Sequence, residues 1–256
     1  MTSIMKYSVL RYSPSKVAGE KINIGILFSD MQGKRVEFRH TSNWRRVKSF
    51  DDELDITTLK AFVEGVKLDV DYAVESGGSF DLEKYIKFFI NDFMFEREQK
   101  IQYDDWESTV KKLYSIYLRF DLEKKNRPNA KDEMDLINNL LITSGVGDVK
   151  QNQMVRGRFG DKIRYDFVTD RCKIKVLDFD GKQVNRLVNT AKTWAINSMT
   201  DPDENTYIIY RAGDEVTGKY NSDIESIKQI FEFAGASFIS FDESLEILQN
   251  QVAHSE

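Results

Sequence analysis

The sequence predicts an α+β protein in two successive parts, and the spacing of its apolar residues carries this prediction. Apolar runs of strand length occur at residues 4–12 and 21–29, and apolar residues at helical spacing follow from Leu54. Alternating, strand-like segments start again at Met154. We expect an N-terminal antiparallel meander with helices over residues 1–122, then a linker and helix over residues 123–153. A mixed sheet flanked by helices, in the order β-β-α-β-α-β-α, should occupy residues 154–256.

Turn residues separate the expected strands of the N-terminal part. Pro14 and Gly19 lie between the first two strands and suit a connecting loop. Gln32 and Gly33 precede a third strand at Arg35–His40. Three short strands joined in this way predict an antiparallel meander.

Three helices should follow in the N-terminal part, each with one apolar face. Asp81 is the expected N-cap of the second helix, and Asp104 with Glu107 resembles a capping box at the start of the third. If the second helix packs on one side only, Phe88 and Phe95 remain for a partner. The three apolar faces comprise Leu59, Phe62, Val63, Val66 and Val70, then Leu82, Tyr85, Ile86, Phe89 and Phe93, then Val110, Leu113, Tyr114 and Tyr117.

The second part begins after a charged segment at residues 121–131, which contains a proline and reads as a linker. A short helix at Lys131–Thr143 follows. Alternating residues around Asp166 and around Ile174 predict a hairpin. The remaining elements are a helix over 184–195, a strand over 207–210, a helix over 224–234, a strand over 237–241 and a last helix from residue 243.

The composition indicates a packed core and a cytoplasmic location. Hydrophobic residues make up 41% and charged residues 31% of the 256 residues, which suits a folded chain. A single cysteine, Cys172, excludes an internal disulfide and fits a reducing compartment. No apolar run is long enough to span a bilayer, so no membrane contact is expected.

The net charge of −5 arises in the second half of the chain. Residues 1–125 carry 21 basic and 21 acidic side chains, whereas residues 126–256 carry 16 basic and 21 acidic ones. Neither half has the basic surplus typical of non-specific phosphate binding. The sequence also lacks a P-loop, a G-x-S-x-G motif and the Cys/His spacing of a zinc site. We therefore expect neither a cofactor nor enzymatic activity.

One arrangement in the second part is compatible with metal chemistry. Its element order resembles the restriction-endonuclease-like fold, in which an acid on one strand and an acid-x-lysine on the next hold a divalent metal. Asp166 and Lys175 occupy two of these positions, but Lys173 replaces the second carboxylate, and Asp178 or Asp180 would substitute only in another register. Three interpretations stay open, namely an exposed charged face, an inactive nuclease relic, and an active nuclease that uses Mg²⁺ or Mn²⁺.

The densest basic and aromatic segment consists of Trp44, Arg45, Arg46 and Lys48. Arginine beside tryptophan can bind phosphates and stack on bases, so this segment is a candidate nucleic-acid-binding surface. Acidic residues at 51–53 follow directly and weaken its field. The alternative interpretation is a surface turn that leads into a helix.

The segments at residues 7–12 (YSVLRY) and 19–26 (GEKINIGI) carry a family resemblance. They resemble the start of a bacterial family of unknown function, number 3037 among such families, and the resemblance extends over residues ~4–120. It implies a bacterial or phage origin, a small α/β domain and no established activity. Residues 156–248 resemble, more weakly, domains attached to toxin–antitoxin and phage-related proteins.

The second strand of this motif has a physical interpretation of its own. Gly25 stands between two isoleucines, which predicts a β-bulge or a close approach of another part of the chain. Across the hairpin we expect Arg11 to face Glu20.

Together these observations predict a non-catalytic bacterial or phage protein that binds a protein partner in phage–host conflict, whether defence, anti-defence or toxin–antitoxin. The acidic second half is the expected contact, and the oligomeric state stays open. One alternative is a metal-dependent nuclease, whose cleavage would be lost in Asp166→Ala. The other is a nucleic-acid-binding module, whose affinity would fall steeply with salt.

Overall fold

The computed structural model describes residues 3–14, 20–89, 92–157, 159–179, 182–199, 205–211 and 221–250. The chain divides into two compact units, Met1–Asn139 and Leu140–Glu256. Each unit holds one open five-stranded sheet with helices beside it, so the predicted α+β class is confirmed. None of the described helices is long and apolar enough to cross a membrane. The loop glycine at position 19 lies outside the described residues.

The first unit contains five strands and, up to the unit boundary, five helices among its described residues. The strands are β1 (Ser3–Tyr12), β2 (Ile22–Asp30), β3 (Val36–His40), β4 (Phe93–Phe95) and β5 (Gln99–Tyr103). The helices are α1 (Trp44–Phe50), α2 (Ile56–Glu75), α3 (Leu82–Ile86), α4 (Trp106–Tyr117) and α5 (Ala130–Ser144), and two 3-10 turns lie at Arg119–Asp121 and Lys124–Asn126.

The first sheet has the order β3-β2-β1, as expected for a meander, and β4 and β5 both pair with the other side of β1. All of these pairs are antiparallel. Because the chain returns to β1 and not to β3, β3 is an edge strand among the described residues.

The predicted irregularity at Gly25 is confirmed. The register between β1 and β2 shifts between Leu10 and Arg11, where Leu10 pairs with Gly25 but Arg11 pairs with Asn23. A Cβ atom at Gly25 would lie 2.8 Å from the ring of Phe38. The absent side chain therefore lets β3 pack closely at the bulge.

The expected pairing of Arg11 with Glu20 is wrong. The Arg11 guanidinium donates to Asn23 Oδ1 at 3.1 Å and to Glu96 Oε1 at 2.8 Å. Glu96 follows β4, so the partner comes from the strand on the other side of β1. Proximity in the sequence suggested Glu20, whereas the pairing of β4 with β1 places Glu96, from much later in the chain, beside Arg11.

The second predicted helix is shorter than its apolar spacing suggested. It ends at Ile86, and Phe93 and Phe95 lie in β4. Phe93 pairs with Tyr12 of β1, and their rings stack at 5.0 Å, so strand pairing outweighs helical spacing. Phe95 packs against the core and is not left for a partner, whereas Phe88 is 72% exposed.

The N-cap of α4 also differs from the expectation by one residue. Asp105, not Asp104, precedes the helix, and its Oδ2 accepts from Ser108 N at 2.7 Å. This position suits the capping bond because the acceptor lies three residues before the donor.

The second unit contains the other five strands and, after α5, three described helices. The strands are β6 (Lys150–Arg156), β7 (Lys162–Val168), β8 (Cys172–Asp178), β9 (Asn205–Arg211) and β10 (Ser237–Ser240), and the helices are α6 (Val184–Ser198), α7 (Asn221–Phe233) and α8 (Phe241–Asn250). The sheet order is β10-β9-β8-β7-β6, in which β10, β9 and β8 are parallel and the rest antiparallel.

The strand β6 comes from residues that the sequence assigned mostly to the linker. Six of its seven residues are exposed, so no apolar alternation marks it. The register with β7 skips Asn152, whose φ is 54°. An exposed, bulged strand carries no periodic signal in the sequence.

Candidate binding site at the β3 edge

Half of the main-chain groups of β3 point away from β2. Asp30 N donates to Arg35 O at 2.9 Å before the strand, and Thr41 N donates to Ile24 O at 2.8 Å after it. With an unbroken register between them, the odd-numbered residues of β3 face β2 and the even-numbered ones face outward. Among the described residues no strand pairs with this outer side. The residues whose N–H and C=O groups point outward are Val36, Phe38 and His40, and among these groups the His40 carbonyl oxygen lies 3.4 Å from Tyr114 Oη.

A cleft of about 560 Å³ opens along this edge. Its lining comes from three elements of the first unit, which places it between α2 and α4. Phe38, Arg39 and His40 come from β3, Lys67 comes from α2, and Glu107, Val110, Lys111 and Tyr114 come from α4.

The two helices flank opposite faces of the edge strand. Phe38 belongs to the same core cluster as the buried residues of α2. The preceding residue, Glu37, accepts from Trp106 Nε1 of α4 at 2.9 Å. Because successive strand residues point to opposite faces, the cleft wraps around the edge of β3.

The cleft has more cations than anions. Arg39, Lys67 and Lys111 line it, against the single carboxylate of Glu107. Arg39 pairs directly with Glu37 of its own strand and lies 4.0 Å from Glu107, and Lys67 lies 3.8 Å from Glu64 on its own helix. Lys111 forms no ion pair with any described residue. The charge of this site is therefore complementary to an acidic ligand.

Asp121 joins the end of β3, the start of α1 and helix α4. Its Oδ1 accepts from Thr41 Oγ1 at 2.6 Å. Its Oδ2 accepts from Ser42 N at 2.5 Å and from Tyr114 Oη at 2.6 Å. These bonds hold the 3-10 turn that carries Phe120 against the His40 end of the cleft.

Burial, and then the hydrogen bond to Asp121, raise the pKa of Tyr114 above its ordinary value of 10.0. Burial likewise raises the pKa of Tyr7, and the pKa of Tyr210 rises to about 12. Unfolded tyrosines ionise near pH 10, whereas the folded ones resist ionisation. Their contribution to stability is therefore complete below pH 10 and is lost as the pH rises further.

We expect the urea concentration at the midpoint of unfolding to fall as the pH rises above 10. The fall should be smaller in Tyr114→Phe, which lacks this ionisable hydroxyl. A midpoint that stays constant above pH 10 would contradict the expectation.

Three guanidinium groups surround the ring of Phe120. Arg46 lies 4.2 Å from the ring centroid, Arg127 lies 4.8 Å and Arg119 lies 5.7 Å from it. Arg119 is also 3.6 Å from Glu133. This Phe120 arginine cluster joins Arg46 of α1 to Arg119 and to Arg127, and only Arg127 belongs to the segment that the sequence assigned to a linker. Sequence analysis missed Arg119, Phe120 and Arg127, because no local pattern connects them to α1.

The predicted basic segment forms α1 itself and not a turn before a helix. Arg45 is exposed, and Arg46 belongs to the Phe120 arginine cluster. Lys48 Nζ donates to the carbonyl oxygens of Asp52 and Leu54, and therefore closes the end of the helix. The Trp44 ring is half-buried, 5.8 Å from the ring of His40. The four predicted residues thus do not share one open surface.

The structure brings Asp166 and Lys175 together. Asp166 Oδ1 lies 3.1 Å from Lys175 Nζ, and Oδ2 accepts from Val176 N at 2.7 Å. Lys175 also lies 5.0 Å from the Trp194 ring centroid, and Lys173 is buried 6.0 Å from the Tyr165 centroid. Both oxygens of this carboxylate are thus engaged within the protein.

The nuclease hypothesis also named two further acids, Asp178 and Asp180. Asp178 is 3.6 Å from Arg211, and Asp180 lies outside the described residues. Within the described part of the chain, no three His, Cys, Asp or Glu side chains converge as metal ligands.

Comparison with known proteins bears on the first unit alone. Residues 7–114 match the family model of a protein of unknown function (DUF3037), from β1 into α4. No curated protein and no solved structure matches the chain. Every residue that lines the cleft falls within the matched segment, whereas Phe120 follows it. The part of the chain that builds the β3 edge is therefore the part that is similar to the DUF3037 family.

Proposed function

We propose that this protein binds a protein partner, which adds an extended segment to the outer edge of β3. The observation that carries the proposal is the row of outward main-chain groups at Val36, Phe38 and His40, which opens onto a cleft. An added strand pairs with such groups through its own main chain, and side-chain pockets then select its sequence.

The size and walls of the cleft support a single extended segment as the occupant. Its volume of about 560 Å³ lies in the range of typical ligand sites, which hold roughly 300–1,000 Å³. Helices α2 and α4 rise on both faces of the edge, so a narrow chain segment fits better than a whole folded copy. The sequence placed the contact in the acidic second half, and we place it instead at this basic edge.

Substitution of His40 by proline is expected to abolish partner binding while it preserves the fold. The His40 N–H faces outward, so proline removes a donor for the added strand and spares the ladder to β2. His40→Ala is the matched control, because it removes the same side chain and keeps the N–H. Circular dichroism and thermal unfolding should first show that all three proteins are folded.

The measurement is capture by the tagged protein from a nuclease-treated bacterial lysate, quantified by mass spectrometry. The expected result is one stoichiometric protein with the wild type and with His40→Ala, and its loss with His40→Pro. Equal capture by His40→Pro, or no captured protein, would overturn the proposal. A role in phage–host conflict stays part of the proposal, and the identity of the captured protein tests it.

The Phe120 arginine cluster favours a second candidate function, the binding of nucleic acid. Arg46, Arg119 and Arg127 meet there, and Arg45 is exposed on the same helix as Arg46. Under this candidate the captured material is nucleic acid, it disappears on nuclease treatment, and the affinity falls steeply with salt. The same capture experiment therefore separates the two functions.

A further inference from the structure

We infer that the segment bound at β3 is acidic, and that its carboxylates contact the cleft lysines on both faces of the edge and the Phe120 arginine cluster beyond His40. This inference rests on the proposed function and names the chemistry of the partner. It follows from where the cations lie relative to an added strand.

The two lysines of the cleft stand on opposite sides of the edge strand. Lys67 is exposed on α2, and Lys111 is exposed on α4. Side chains of an added strand would alternate between these two sides. Neighbouring residues of the bound segment would therefore meet one lysine each, so acidic residues on both faces of the segment are matched by a cation.

The Phe120 arginine cluster extends this basic surface past the end of β3. The two residues that follow His40 donate to Asp121, and the next residue back along the chain is Phe120. The carboxylate of Asp121 already accepts hydrogen bonds from Thr41, Ser42 and Tyr114, so it is a weak partner for any further cation. An acidic segment that extends out of the cleft past His40 would therefore contact the Phe120 arginine cluster.

The cluster itself favours an incoming carboxylate. Three guanidinium groups lie within 5.7 Å of one ring centroid, and one of them, that of Arg119, is also 3.6 Å from Glu133. Like charges held this close repel each other, and a bound anion relieves that repulsion. Guanidinium groups also bind carboxylates in a planar, bidentate geometry while they stack on an aromatic ring.

A peptide fits the whole site better than a nucleic acid does. The outward N–H and C=O groups of β3 match the main chain of another strand, which a nucleic acid lacks. Phe38 and Val110 also line the cleft and offer apolar contact to side chains. Only the arginine cluster, taken alone, is equally suited to phosphates.

The test is a selection from a library of displayed random peptides of about ten residues, a usual upper length for a strand. The full-length wild-type protein and His40→Pro serve as parallel targets. We expect peptides enriched on the wild type alone, with Asp and Glu several-fold more frequent than in the input library.

A selected acidic peptide then serves as the probe for charge-reversal variants. In Lys67→Glu/Lys111→Glu its affinity should fall about tenfold or more, as expected for the loss of two charge contacts and the gain of repulsion. Lys84→Glu makes the same change at an exposed residue of α3 outside the cleft, and it should leave the affinity unchanged. A peptide with lysine in place of its acidic residues should bind the double variant better than the wild type.

The outcomes separate this inference from the function on which it rests. Peptides that depend on the His40 N–H but show no acidic enrichment would overturn the inference and leave strand addition intact. No peptide that distinguishes the wild type from His40→Pro would overturn strand addition itself. Self-association that His40→Pro abolishes would make a second copy the occupant, and it would overturn the inference as well.

Discussion

Replacement of Asp121 by alanine should lower the free energy of unfolding by about 3 kcal/mol, since hydrogen bonds to a charged group contribute about 1.5–3 kcal/mol each and this site is partly exposed. The carboxylate accepts from Thr41 Oγ1, Ser42 N and Tyr114 Oη within 2.6 Å. Its loss leaves these donors, and the Ser42 hydroxyl at 3.3 Å, without their acceptor. It also frees the turn that positions Phe120, so binding of an acidic peptide should weaken together with stability.

Urea unfolding of the Asp121 variant measures this effect. Asp104→Ala is the matched control, because Asp104 is exposed and forms no hydrogen bond with a described residue. Asp121→Asn, which keeps one acceptor oxygen, should lose less stability than alanine does. A loss below about 1 kcal/mol, the contribution of one ordinary hydrogen bond, would contradict the role given to Asp121.

Replacement of Asp166 by alanine should lower the free energy of unfolding by about 2–3 kcal/mol, because it leaves a partly buried lysine and a main-chain N–H without their partner. Strands β7 and β8 pair only at Phe167 with Ile174 and at Val168 with Lys173. Beyond that point Asp166 receives the N–H of Val176 and the ammonium of Lys175. The carboxylate thus takes the place of the missing ladder bonds.

The matched control for Asp166 is Asp170→Ala in the same hairpin, an exposed residue whose loss should cost little. Asp166→Asn retains an acceptor for Val176 N and should stay closer to the wild type in stability.

Because Asp166→Asn should stay folded, it is the variant to use in a cleavage assay with Mg²⁺ or Mn²⁺. Metal-dependent cleavage by the wild type that a folded Asp166→Asn loses would favour the nuclease hypothesis over a structural role. An unfolding free energy unchanged in Asp166→Ala would contradict the structural role.

The elements that could be predicted from sequence are those whose burial leaves an apolar run or a periodic set of apolar residues. Strands β1 and β2 are buried over several consecutive residues and read as apolar runs, and helices α2 and α4 bury apolar residues at helical spacing. The same logic failed for Phe93, because an aromatic residue that packs in a strand can also fit helical spacing. It failed again for β6, whose exposed residues leave no periodic mark.

The residues of the candidate sites also differ in whether the sequence alone reveals them. Arg45 and Arg46 stood out in the sequence because they are adjacent to each other and to Trp44. Arg119 and Arg127 did not, because their relation to Arg46 exists only through the ring of Phe120. Asp166 and Lys175 were assigned to one candidate site from their places on two successive strands, and their side chains are 3.1 Å apart.

The sequence by itself determined the α+β class, the antiparallel start, the similarity of residues 7–114 to the DUF3037 family and the overall charge, because each depends on composition or on local order. Only the tertiary structure decided that β3 is an edge, that α2 and α4 flank a cleft along it, and that arginines from distant segments meet at Phe120. These features depend on which strand lacks a neighbour on one side, and on the strand with which the later strands β4 and β5 pair. Both are set by the packing of the whole unit, since residues far apart in the chain compete for the same buried surface.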